Sequence, residues 1–182
     1  KDLALAIPWI LYVRCWTQQR AGRPGDRIPA LDEAEAALTK AQMQWGVVWC
    51  QAVRAEVALE RGDPNAAREL AETALALSKS PFAGWLRDRA LLVHARVLRR
   101  LGELERGEDD AHRSLTVAQA GGHRPAVAES LELLAGLAAQ QESPLEAARL
   151  FGAADVLREQ LGYPRPPVEQ PAHAADMELV TA

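Results

Sequence analysis

Four arginines, Arg89, Arg96, Arg99 and Arg100, fall within one stretch that predicts a helix near 85–101. At about 100° per residue, their spacing gathers them on one broad face. Clustered guanidinium groups suit carboxylate or phosphate, which they hold through paired N–H donors. Carboxylates flank this stretch in sequence: Glu56 and Glu60 before it, Glu129 and Glu132 after it. Two readings follow. The arginines serve an anionic ligand, or they pair internally, Arg96 with Glu56 and Arg89 with Glu129 or Glu132.

Other chemistry is not signalled. His94, His112, His123 and His173 are scattered, and none has a second ligand at helical spacing. A metal site needs three or four convergent ligands. Glu129/Glu132 and Asp109/Asp110 read as solvated helix faces, or as helix N-terminal charge for the aspartates, rather than as catalytic pairs. There is no Gly-x-x-x-x-Gly-Lys-Ser/Thr, no Gly-x-Ser-x-Gly and no His-Glu-x-x-His. No catalytic residue, cofactor site or metal site is expected, and the segment is read as working by binding.

The elements that position the arginines repeat. Gly62-Asp63-Pro64 is a helix stop followed by a cap and a first-turn proline. Small residues follow at Ala67 and Ala74. The pattern returns with Gly102, Gly107 and Ser114, and again, at the same step, with Glu142, Ala147 and Ala154. Ala55, Ala95 and Ala135 keep that period upstream. Gly25-Asp26, Ala30 and Ala37 form a looser copy. The chain therefore reads as helical hairpins, with small residues where helices cross closely.

With 182 residues, 48% hydrophobic but only 5% aromatic, the chain is long enough for a sizeable core and favours helix on helix. The net charge of −4 and pI near 5.6 speak against non-specific nucleic-acid binding. Cys15 and Cys50 stand apart, which fits a reducing, cytoplasmic setting. The apolar run from Leu3 to Val13 is too short to span a bilayer. The chain opens on Lys1, directly in a helical pattern, which reads as a piece of a longer protein. The boundaries expected are a repeat domain over 1–162, with hairpins at about 3–44, 46–79, 84–120 and 125–161. Residues 163–182 read as a proline-rich exit linker with a short helix near 172–180, or as a tail folded back on the last helix.

The helix–turn–helix units with small residues in these places resemble the tetratricopeptide repeat, or TPR. That family repeats every ~34 residues, whereas the step here, from 62 to 102 to 142, is longer. The surplus is expected in longer loops between hairpins, such as 78–87. The family's tryptophan is replaced by Gln51, Leu91 and Leu131, its glycine by Ala55, Ala95 and Ala135, and its tyrosine by Ala58, Leu98 and Ala138. Phe151 stands where the family has an aromatic, but Ala71 and Ala111 do not. The resemblance implies an all-α, right-handed α–α superhelix of about four TPR-like hairpins.

Leu131–Ala138, followed by Ala147–Asp155, also resembles the end of the helical region in large LuxR-type transcriptional regulators. In that family an ATPase module precedes the repeats and a helix–turn–helix DNA-binding domain follows them. The resemblance implies a cytoplasmic, non-catalytic sensor or interaction segment coupled to those flanking domains. A free-standing TPR adaptor is the rival.

TPR geometry implies a concave groove lined by the first helix of each hairpin. The positions this places there are Trp9, Tyr12 and Trp16, then Trp49 and Glu56, then Arg89, Arg96, Arg99 and Arg100, and last Glu129 and Glu132. Such a surface would take a protein or peptide partner, or an anionic small effector, with Arg96 and Arg99 as anion contacts and Trp49 as a stacking wall. Contact with flanking domains and homo-oligomer formation are compatible with it. Direct nucleic-acid contact and membrane association are not expected.

Overall fold

Left-handed backbone turns recur along the described residues at a regular spacing, with one place in the series skipped between 62 and 102. Positive φ occurs at Gln42, Gly62, Gly102, Gly122, Glu142 and Gly162. The computed structural model describes residues 10, 13, 14, 17 and 27–181. Eight helices run through the described stretch 27–181: α1 (Arg27–Lys40), α2 (Gln44–Glu60), α3 (Pro64–Leu77), α4 (Arg87–Arg100), α5 (Leu104–Ala120), α6 (Arg124–Gln140), α7 (Pro144–Leu161) and α8 (Gln170–Thr181). Among the described residues there is no strand, and no helix is long and apolar enough to cross a membrane.

Local signals explain the helix ends. Asp63 accepts a hydrogen bond from the Ala66 N–H at 3.0 Å, and Pro64 opens α3. Gly62 at φ 78° and Gly102 at φ 79° supply the left-handed step that stops α2 and α4. Glu142 takes the same conformation at φ 59°, where a side chain is strained. The sequence period therefore marks one backbone event in three places.

The length of the repeat does not come from long loops between hairpins. Helices α5 and α6 have 17 residues each, and the connection between them, 121–123, is as short as the hairpin turns. Among the described residues two connections are long: residues 78–86 between α3 and α4, which contain a 3-10 turn at Gly84–Leu86, and residues 162–169 between α7 and α8.

Each helix packs on the next, and α2 also touches α4, as α4 touches α6 and α6 touches α8. Small residues sit at the crossings. Ala55, Ala95, Ala135, Ala67, Ala147 and Ser114 are all 0% exposed. A Cβ on Gly107 would lie 3.3 Å from the Ala95 carbonyl oxygen, so α5 meets the α4 backbone directly. One apolar cluster joins α1 to α4, and a second joins α4 to α7.

Residues 163–181 do not run clear of the repeats. After Gly162 the chain turns through a 3-10 segment, Pro167–Glu169, into α8, which packs on α6 and α7.

Candidate functional site: a charged cleft across the first helices

Helices α2, α4 and α6 place one charged row each along a common side, and the segment after α7 closes it. Positions one repeat step apart come together: Arg89 with Glu129 and Glu56 with Arg96. Arg89 donates to Glu56 at 2.7 Å and to Glu129 at 2.9 Å. Arg96 donates to Glu56 at 2.8 Å and approaches Glu129 at 3.5 Å and Glu169 at 3.4 Å. The Tyr163 hydroxyl donates to Glu129 at 2.9 Å. Arg158 holds Glu132 with two hydrogen bonds of 2.7 Å, lies over the Tyr163 ring and reaches Glu169 at 3.5 Å. Arg165 adds a third contact to Glu132.

Arg99 passes α6 to reach α8. It pairs with both carboxylate oxygens of Asp176, one at 3.0 Å, and donates to Gln140 at 3.0 Å. Gly136 makes the passage. A Cβ there would collide with an Arg99 guanidinium nitrogen and sit 2.6 Å from Asp176.

Charge and burial set the protonation states. Burial by itself would lower the pKa values of Arg89 and Arg96. The facing carboxylates outweigh it and raise both, Glu56 foremost for Arg89 and Glu169 foremost for Arg96. Burial would raise Glu129, but Arg89, Arg96 and the Tyr163 hydrogen bond pull it below the usual range. Glu169 goes the other way. Burial, with Glu129 and Glu56 adding to it, raises its pKa despite Arg96. Its own ion pairs are the long ones, 3.4 Å to Arg96 and 3.5 Å to Arg158.

Part of this network borders an open cleft of about 550 Å³. Arg96, Arg99, Glu129 and Glu132 line one side, and Val168, Glu169, His173 and Asp176 line the other. Leu59, Leu133 and Phe151 add an apolar lining. Arg100 borders the cleft, is exposed, and makes no ion pair among the described residues.

The expected groove positions are thus partly gathered. Glu56, Arg89, Arg96, Arg99, Glu129 and Glu132 form one ion-pair network, in the internal pairing that the sequence allowed. Trp49 is no stacking wall. It is 3% exposed, within the apolar cluster that joins α1 to α4. Trp9, Tyr12 and Trp16 lie outside the described residues. Sequence reasoning missed Arg158, Tyr163, Arg165, Glu169 and Asp176. For the two acids the signal was the same period, since Glu169 stands one repeat step beyond Glu129 and Asp176 one step beyond Gly136. Among the described residues no group of His, Cys, Asp and Glu could hold a metal ion.

A second buried polar set binds α4 to α5 and α6. His123 meets Asp88 at 2.8 Å, and Ser114 donates to the Asp88 carbonyl at 2.8 Å. His94 meets Asp110 at 2.6 Å. Ser114 is fully buried and bonded to a carbonyl and to Ser130, so this set fastens helices and offers no nucleophile.

No family model matches the chain, and no solved structure matches it. Curated relatives do. Two are proteins of Mycobacterium tuberculosis and of Mycobacterium bovis, named "Putative HTH-type transcriptional regulator Rv0890c" and "Putative HTH-type transcriptional regulator Mb0914c". Each is 38% identical over 138 residues, which is 75% of this chain and 15% of the relative. The chain spans about 15% of the length of these relatives, and over that span it is a relative of proteins named as transcriptional regulators.

Proposed function

We propose that the chain is a non-catalytic interaction or sensor segment of an HTH-type transcriptional regulator of the LuxR kind. Its hairpins stack as a right-handed, TPR-like superhelix, and it acts in the cytoplasm. The observation that carries this reading is the 38% identity to named regulators over 75% of the chain. The pairing of α2 with α4 and of α4 with α6 supports the stacked arrangement.

A partner protein, a peptide or a small anionic effector would enter the cleft beside Arg100, which is exposed and borders it. The other arginines are engaged by carboxylates of the chain itself, so an entering anion must compete with them. Occupancy would alter the closure of 163–181 over α6 and so the posture of any domain joined to it.

The test has two arms. This chain, titrated with labelled duplex DNA at physiological salt, should not bind. In the full-length regulator, Arg100→Glu with Leu59→Glu should abolish the response of a reporter while leaving DNA binding intact. Tight DNA binding by this chain, or an unchanged reporter response, overturns the reading.

A further inference from the structure

The four helices α2, α4, α6 and α8 share one register but not one environment. Ala55, Ala95, Ala135 and Ala175 stand at equal intervals, one repeat step apart. Contacts run from α2 to α4, from α4 to α6 and from α6 to α8. In the first three helices this alanine is 0% exposed. Two positions on, Val57, Val97 and Leu137 are at most 2% exposed. The second helix of each hairpin packs there, and the Gly107 approach to Ala95 shows how closely. In α8 the corresponding surface is bare: Ala175 is exposed and Met177 is 36% exposed. Ala174 and Glu178 are exposed too, where α4 carries the buried His94 and Leu98.

We infer that this face of α8 is a docking surface for an α-helix of the same polypeptide, seated as α3, α5 and α7 are seated, with a small residue over Ala175. Three internal precedents say what covers such a face. Each is an adjacent helix reached through a three-residue turn, 61–63, 101–103 or 141–143. In each the residue twelve positions past the register alanine is small: Ala67, Gly107 and Ala147. A bulky residue at that point would strike backbone, because the nearest atom to Gly107 is a main-chain oxygen. The curated relatives extend far beyond the matched span, so chain that could supply such a helix exists in them. The inference rests on the repeat register and not on the functional reading above, although the two meet at Ala175, which also borders the charged cleft.

Position 182 is in step with positions 102 and 142. A copy of residues 143–162 appended directly after Ala182 therefore places a helix of this type in register. Amide exchange of residues 170–181 is the readout, with the amides of α4 and α5 as internal controls of folding. The appended copy should slow exchange in α8 at least tenfold. Ala175→Leu in the appended chain should abolish that gain, yet leave the natural chain unchanged. A synthetic peptide of residues 143–162, added to the natural chain, should slow α8 exchange in the same Ala175-dependent way. The inference is overturned if neither form protects α8 or if the protection survives Ala175→Leu. Protection that rises with the concentration of the natural chain alone also overturns it, since the occupant would then be a second copy.

Discussion

Glu129→Gln probes the centre of the charged network. Glu129 is 6% exposed and faces Arg89 at 2.9 Å and Arg96 at 3.5 Å. Removing one partner of a buried ion pair costs roughly 3–5 kcal/mol. Two features reduce that here. Glutamine can still accept the Tyr163 hydroxyl, and both arginines retain Glu56. The expected loss is therefore about 2–3 kcal/mol at neutral pH. The sign with pH is fixed by the lowered pKa of Glu129. Its stabilisation is present above the unfolded carboxylate value, near 4.3, and disappears as pH falls through the lower folded value. Urea unfolding of wild type and variant across pH 3 to 8 reads this directly. The penalty should be full at neutral pH and should shrink towards zero in acid. A penalty below about 0.5 kcal/mol at pH 7, or one that is flat with pH, refutes the network as described.

Gly107→Leu should cost roughly 3 kcal/mol or more through overpacking, whereas Gly107→Ala should be near neutral. The lone Cβ needs the Ala95 carbonyl to yield slightly at 3.3 Å, and helix propensity offsets that; equal melting of both variants refutes the close crossing. Ala67→Leu and Ala147→Leu, both fully buried sites, should each cost roughly 1–3 kcal/mol in denaturant unfolding. Glu142→Gly should stabilise by about 1 kcal/mol and Gly62→Ala should destabilise by a similar amount, because both positions are left-handed; thermal melting decides. Gly136→Ala should split Arg99 from Asp176 and speed amide exchange in α8 while α4 keeps its protection. The raised pKa of Glu169 works opposite to that of Glu129: its contribution to stability is present below the unfolded carboxylate pKa and is lost as pH rises through the folded value. Glu169→Gln should therefore flatten the fall in stability towards neutral pH.

The period in the sequence was legible because it lies in the backbone. Gly62, Gly102 and Glu142 share a place because each must turn left-handed, and Glu142 shows that the site is kept even without glycine. The pairing of Arg96 with Glu56 and of Arg89 with Glu129 was also legible, since one repeat step puts these positions side by side. Trp49 was misplaced by the same arithmetic. It shares the register of Arg89 and Glu129, but α1 packs on α2 near it and the ring joins the core. The proline-rich stretch was hidden for another reason. Composition describes local backbone preference, and Pro166 is indeed extended at ψ 147°. What anchors the stretch is non-local: Tyr163 on Glu129 and Arg165 on Glu132. No window of sequence contains both partners.

The order of charge along the register bears on how such a chain can change over generations. Repeat arrays commonly gain or lose whole units, because each unit touches only its neighbours. Here position 56 is acidic, the α4 row is basic, and positions 129, 169 and 176 are acidic. Excising one full repeat, α4 and α5 with their turns, would keep every later turn in step. It would also set Glu56 against Glu129 with neither Arg89 nor Arg96 between them. Backbone periodicity would tolerate the deletion and electrostatics would not. The hairpins are alike in shape but not interchangeable, so unequal recombination within this region should leave viable descendants only where charge order survives along with length.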